Sequence, residues 1–258
     1  MALFDANTRK YIESLIDNVD AQVRTDFAMQ YVADENDYTS NLTSQIRRFI
    51  NTNLYPLRAT TFSQKLPSFH GHAWGVDACM VLVDHNVRKA KICLFKAKTS
   101  RNGWDHHKPN HTPKISHFSS QLTRQTNPNR HGYAVWEQFY VDVCNGIPVG
   151  KRSLTGSTCI FHDYAIRHNA PHPGEAVWTN TDIDILCTRQ LQNKEPITMG
   201  GVVRTVCEDK KGDPISIDEL HTRLEEIKFQ HMLFIEGGER IVEDDTFKSI
   251  GEQFIANK

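Results

Sequence analysis

Residues 76–99 read VDACMVLVDHNVRKAKICLFKAKT, and the fold turns on them. VDACMVLV and AKICLFKAKT are short runs rich in Val, Ile, Leu and Cys, joined by the polar turn DHNVRK, which is the pattern of a β-hairpin. Both faces of the first run are apolar, so a central strand covered on each side is expected. A turn centred between Asn86 and Val87 sets Asp77 opposite Lys96, because the two positions are equidistant from that point. Lys98, two residues on, shares the face of Lys96. A carboxylate and a lysine on a central sheet are costly to bury unpaired, so they form either a buried ion pair or a site with a purpose.

Upstream, Thr8 to Val32 carries Tyr11, Ile12, Leu15, Ile16, Val19, Val23 and Phe27 at spacings of three and four, which predicts an amphipathic helix. A second helix is expected after Asp34, an N-cap, with Tyr38, Leu42, Ile46, Phe49 and Ile50 on one stripe and an end near Asn51 to Asn53. TTFSQKLPSFHGHAWG reads as a polar approach to the hairpin. Downstream, SRNGWDHHKPNHTPK is a loop by its Gly, Pro and Asn content, and ISHFSSQLTRQ has helical spacing. YAVWEQFYVDV suits either state. STCIFHDYAI and DIDILCTRQ read as strands, ISIDELHTRLEEIKF as a helix with Asp218 and Glu219 in its first turn, and HMLFIEG as a strand. The order is α-α-β-β-α followed by a mixed α/β remainder, in one domain over 1–258 with its core at about 35–125 and a C-terminal α/β extension over 150–258. That extension either completes the sheet or binds a protein partner or a regulator.

Gly75 to Asp77 (GVD), eighteen intervening residues and a strand ending in KAK at Lys96 to Lys98 together resemble the PD-(D/E)XK nuclease superfamily, which includes many restriction enzymes. The resemblance covers roughly residues 35 to 125 and implies a restriction-endonuclease-like fold: a mixed central sheet flanked by helices. In that family an Asp and a second acid on adjacent strands bind Mg²⁺, and a Lys two positions after the second acid orients or activates water. Asp77 matches the first acid and Lys98 the lysine, but Lys96 stands where the family has Glu or Asp. The family often adds a Glu on a preceding helix, where Glu35 lies three before Tyr38 and seven before Leu42, and a polar residue on the following helix, where Gln121 lies. Glu35 is then a metal ligand or a first-turn acid complementing the helix dipole. Gln121 either holds a ligand water or phosphate or is a capping or surface residue.

The resemblance implies a Mg²⁺-dependent DNA endonuclease, bacterial or phage-related, serving restriction or antiviral defence. Asp77, Lys96, Lys98, Glu35 and Gln121 would form the site, with Asp77 and Glu35 on the metal. Phosphodiester cleavage needs a hard cation to stabilise charge on phosphorus, and Mg²⁺ prefers carboxylate oxygens. Replacing the second acid by Lys96 removes a ligand and adds a cation, which disfavours a divalent ion. Three explanations stand: a natural pseudonuclease, an acid supplied instead by Glu35, or an inactivating substitution in a toxic nuclease, the last ranked first. The non-enzymatic alternative is a nuclease-like DNA-binding or assembly subunit. Cutting both strands usually takes two sites, so a homodimer or larger homo-oligomer is expected.

Charge distribution fits this reading. The chain has 258 residues and a net charge of −1, yet Lys96 to Arg130 holds seven basic residues against one acid, Asp105, whereas Glu208 to the end holds thirteen acids and seven bases. That asymmetry suits one face meeting a polyanion, with Arg101, Lys108, Lys114 and Arg124 as DNA contacts, and ordinary surface variation accounts for it equally well. Apolar residues at 39% and charged residues at 24% argue against disorder. No run approaches the ~20 apolar residues of a membrane span. Asp5 and Asn7 interrupt any apolar leader, so a cytoplasmic location is expected. The six cysteines form no C-x-x-C pair and are expected in the core.

Other chemistries fare worse. His107 and His111 have an H-x-x-x-H spacing, but Pro109 keeps a regular helix from bringing them to one face. His168 and His172 repeat the spacing around Pro171. The loop with Asp105, His106, His107, Trp104 and Lys108 is therefore expected to lie beside DNA rather than to hold zinc. No G-x-S-x-G elbow and no G-x-x-x-x-G-K-[ST] phosphate loop occurs.

Overall fold

The computed structural model describes residues 1–52, 56–63, 73–109, 112, 114–141, 152–171, 174, 176–225 and 231–239. The first helix, α1 (Ala6–Ala28), starts at Asp5, whose Oδ1 accepts from the N–H groups of Asn7 (2.8 Å) and Thr8 (3.1 Å), and buries Ile12, Leu15, Ile16, Val19, Val23 and Phe27. It stops short of Val32. The second, α2 (Glu35–Thr52), is capped as expected by Asp34, whose Oδ1 accepts from Asn36 N–H at 2.8 Å and Asp37 N–H at 2.9 Å.

The hairpin has the register deduced above. β2 (Ala78–Asp84) pairs antiparallel with β3 (Lys89–Thr99) from Ala78 opposite Phe95 to Asp84 opposite Lys89. β2 is buried along its whole length and lies inside a mixed seven-stranded sheet. Part of the supposed polar approach is in fact β1 (Leu57–Ser63), whose alternation of Leu57 and Ala59 with polar residues suits a sheet margin, where it pairs antiparallel with β7 (His231–Gly237). β7 inserts between β1 and β2, parallel to β2. After β3, helix α3 (His117–Arg130) crosses to β4 (Ala134–Tyr140), parallel to β3, so the ambiguous YAVWEQFY is a strand.

Two later expectations fail. STCIFHDYAI is a strand only at β5 (Thr158–Phe161) and then becomes helix α4 (His162–Asn169). DIDILCTRQ is helix α5 (Asn180–Gln192): Ile183, Leu186, Cys187 and Gln190 fall at helical spacing and are buried, and a capping box between Thr179 and Asp182 fixes its start. Helix α6 (Met199–Cys207) was not anticipated. Strand β6 (Ile215–Ser216) pairs with β3 and leads into α7 (Ile217–Glu225), the helix expected there.

The sheet separates two apolar layers. Ala78, Met80, Cys93, Phe95 and Trp136 face a core built with α1, α2, α5 and α6, and Phe95 stacks on Trp136 at 5.3 Å. Cys79, Val81, Ile92, Leu94 and Val135 face a second core with Ile217, Leu220 and Leu224 of α7. Cys79, Cys93, Cys159, Cys187 and Cys207 are free and buried, as expected of small hydrophobes, and Cys144 lies outside the described residues. No described helix is long and apolar enough to cross a membrane.

Candidate functional site

By strand parity Asp77, Lys96 and Lys98 belong to the second face, with Cys79 and Leu94. Asp77 extends the hairpin past Ala78: its N–H donates to Phe95 O (2.9 Å), its Oδ2 accepts from Ala97 N–H (3.0 Å), and its Oδ1 takes the Lys96 ammonium at 2.5 Å. The pair is only partly shielded, with side-chain exposures of 24% for Asp77 and 13% for Lys96. Gly75 delivers Asp77 to this position. At φ +68°, its hypothetical Cβ would lie 2.9 Å from Gln121 O, so glycine both adopts the left-handed turn and admits α3 against it.

Glu35 opens α2, and its Oε1 accepts from Thr99 N–H at 2.7 Å, clamping the helix start to the end of β3. Glu35, Asn36, Asp77, Lys96, Arg101 and Trp104 line one cleft of about 640 Å³. Glu35, Asp77 and Lys96, drawn from two distant sequence segments, therefore converge. Lys98 is half-buried beside them and has no hydrogen bond or ion pair among the described residues. Burial first, and the Lys96 charge second, hold its pKa below the usual lysine range against the pull of Glu35, Asp77 and Asp105.

Gln121 is 4% exposed and lies outside the cleft lining, with its Oε1 unpartnered among the described residues. It packs α3 onto the Gly75 turn. Of the expected DNA contacts only Arg101 lines the cleft. Lys108 and Lys114 sit on a loop closed by the His107–Ser116 bridge, and Arg124 is half-buried on α3 with Nε donating to Ser120 O at 3.3 Å.

The His-rich loop is organised by its acid. Asp105, 6% exposed, accepts from Ser116 Oγ (2.6 Å), Phe118 N–H (2.9 Å) and Trp178 N–H (2.8 Å), which ties the loop to α3 and to the segment before α5. His106 stacks on His117 at 5.0 Å, and burial together with Lys98 pushes the His117 pKa down to about 4. His168 Nε2 lies 3.1 Å from Asp182 Oδ1. His111 and His172 fall outside the described residues.

Sequence reasoning passed over a second group under the cleft. Glu137 aligns with Lys96 on β4, so Asp77, Lys96 and Glu137 form one row across three strands. Glu137 is fully buried, and its Oε2 accepts from Gln125 Nε2 (3.1 Å), which also donates to Gly75 O (2.9 Å). His162 Nδ1 lies 3.1 Å from Gln125 Oε1 and 3.5 Å from Glu137 Oε1. The signal was a glutamate inside the apolar YAVWEQFY, where a charge needs a partner.

Mg²⁺ does not fit these donors as they stand. Both Asp77 oxygens are engaged, one by an ammonium and one by a backbone N–H, and Glu35 spends an oxygen on Thr99. Among the described residues no three His, Cys, Asp or Glu side chains are grouped to hold a metal. The Lys96 charge occupies the space a cation needs. Comparison with protein-family models, curated proteins and solved structures finds no match to any of them.

Proposed function

We propose that this chain has the scaffold of a PD-(D/E)XK-type DNA endonuclease whose metal position is closed by Lys96, so that in the present form it holds the DNA backbone without cutting it. The observation that carries the reading is the convergence of Glu35, Asp77 and Lys96 on one cleft, with Lys98 beside them, on a hairpin whose pairing follows from the sequence. The β3–α3–β4 crossover beside the cleft also supports it. Arg101 supplies the cation of the cleft lining that meets phosphate, the Lys96 ammonium being held by Asp77, and a second copy of the chain would supply the second site for a duplex.

Lys96→Glu is the test. It removes the cation and returns a second carboxylate next to Asp77, so Mg²⁺ binding and Mg²⁺-dependent DNA cleavage should appear together, and Asp77→Ala or Lys98→Ala in that background should abolish cleavage. The unaltered chain should bind DNA with affinity that falls steeply with salt, and neutralising Arg101, Lys108 and Lys114 together should flatten that slope. A Lys96→Glu protein that neither binds Mg²⁺ nor cuts, beside a parent that still binds DNA, would leave the non-enzymatic subunit as the function. Absence of DNA binding at low salt overturns both.

A further inference from the structure

Strand β1 is the outer strand of the sheet among the described residues, with β7 on its one paired side. An antiparallel pair alternates residues that bond across the ladder with residues whose N–H and C=O point away from it. Ala59 points away. Its N–H donates to Asn51 Oδ1 at 2.8 Å and its O accepts from Asn51 Nδ2 at 2.8 Å, so one side-chain amide takes both groups. A residue of a neighbouring antiparallel strand would make the same two-bond exchange, and the carboxamide therefore stands in the place of a strand. Leu57 and Thr61 share the outward parity of Ala59, and among the described residues nothing outside the sheet bonds their main chain. Asn51 is exposed and lies in the last turn of α2, where its side chain is free to swing clear.

An unpaired edge is a template for another strand, and the strand that this edge fits is itself. Two copies of β1 set antiparallel about Ala59 place Ala59 against Ala59, Leu57 against Thr61 and Arg58 against Thr60, so outward groups meet outward groups and no arginine faces an arginine. Leu57 and Ala59, buried on one face, and Arg58 and Thr60, exposed on the other, all keep their faces in that register. We infer that the β1 edge is a seam at which a second copy of this chain adds antiparallel about Ala59, and that the Asn51 carboxamide is the latch that closes the seam in the single chain. Opening costs each copy its latch bonds, whereas the seam returns the Ala59 exchange and adds those of Leu57 and Thr61. The balance is close, and the latch decides it. Neither Asn51 nor β1 lines the cleft, so the inference stands apart from the DNA reading, while the joined sheet would carry two clefts.

The experiment follows the mass of the full chain by light scattering over a wide range of concentration, for the parent, Asn51→Ala, and Asn51→Ala combined with Ala59→Pro. Proline is tolerated on an edge strand where its missing N–H would point outward, so Ala59→Pro removes the central donor of the seam and spares the β7 ladder. Asn51→Ala should reach twice the parent's mass, with a dimer dissociation constant about tenfold or more below the parent's, and the double variant should return to the parent's mass. Hydrogen exchange reads the seam directly: in Asn51→Ala the Ala59 amide should exchange faster than in the parent when dilute and regain protection when concentrated. Should Ala59→Pro fail to fold, that concentration-dependent protection decides alone. An Asn51→Ala protein that keeps the parent's mass at every concentration overturns the seam. Association that survives Ala59→Pro arises elsewhere on the molecule and overturns it too. A parent that is already dimeric and is split by Ala59→Pro alone would overturn the latch.

Discussion

Strand β3 carries four lysines, and two of them, Lys91 and Lys98, are opposites. Lys91 is fully buried, and its three donors are met by Asp209 Oδ1 (2.8 Å), Gly212 O (2.7 Å) and Lys211 O (3.2 Å). Lys98 is half-buried with no such partner among the described residues. The first stitches the 209–212 turn to the sheet. The second makes no hydrogen bond or ion pair among the described residues, and burial and a like charge lower its pKa. Within one strand, satisfied donors mark a structural lysine, and the unsatisfied one is the lysine whose contribution to the fold is to be measured.

The sharpest way to break this contrast is to replace each lysine by Met. Lys91→Met strands Asp209 and two carbonyls, and because Asp209 retains some solvent, a loss of about 3 kcal/mol in unfolding free energy is expected. Lys98→Met should change stability by less than about 0.5 kcal/mol in either direction. Urea unfolding of both variants decides it, and comparable losses would make Lys98 structural. Asp77→Asn ranks next. It leaves Lys96 uncompensated beside Lys98 while keeping an acceptor for Ala97 N–H, a cost of about 1–2 kcal/mol at a partly exposed site, visible as a lower urea midpoint with unchanged slope.

The smallest effects are in pH. His117 is held at about pH 4 against an ordinary 6.5, so between those values the unfolded chain binds more protons and acidification destabilises the fold. Asp17, which accepts from Gly200 N–H (2.7 Å) and Thr198 Oγ (3.0 Å) where α1 meets α6, is raised mainly by burial to about 6 against 3.8. There the native state binds more protons between pH 6 and 4, and acidification stabilises. His117→Asn should therefore flatten the decline of the urea midpoint between pH 6.5 and 4.5, and Asp17→Asn should steepen it. A His117→Asn profile that overlays the parent would remove the neutral imidazole from beside Lys98.

The hairpin and its register were legible because they depend on local geometry: a turn fixes its own pairing. The meeting of Glu35 with Asp77 joins two distant segments, and it was expected from the family resemblance rather than from any local pattern. DIDILCTRQ was misread because Ile and Leu at neighbouring positions mimic a strand, while the buried stripe through Ile183, Cys187 and Gln190 emerges only once the capping box at Thr179 is recognised. Glu137 was missed because its significance depends on β4 lying alongside β3 in a particular alignment, and no local pattern encodes a parallel register. Asp105 was read as a loop charge, although its three acceptor contacts come from segments as far as Trp178.

The position of β7 has a consequence for how the chain reaches this state. β2 is flanked by β3 on one side and by residues 231–237 on the other, and among the described residues β1 has its sheet neighbour only in those same residues. During synthesis, until residue 237 leaves the ribosome, β1 and one margin of β2 present bare backbone donors and acceptors, and Met80, Val81 and Leu82 lie next to that gap. Pairing across more than 150 residues of sequence is slow, because loop closure must be met before contacts reward it. The nascent chain is therefore most exposed to strand-mediated association until residues 231–237 have emerged, and a chaperone that shields β-edges should raise the folded yield of this protein more than one that shields helices.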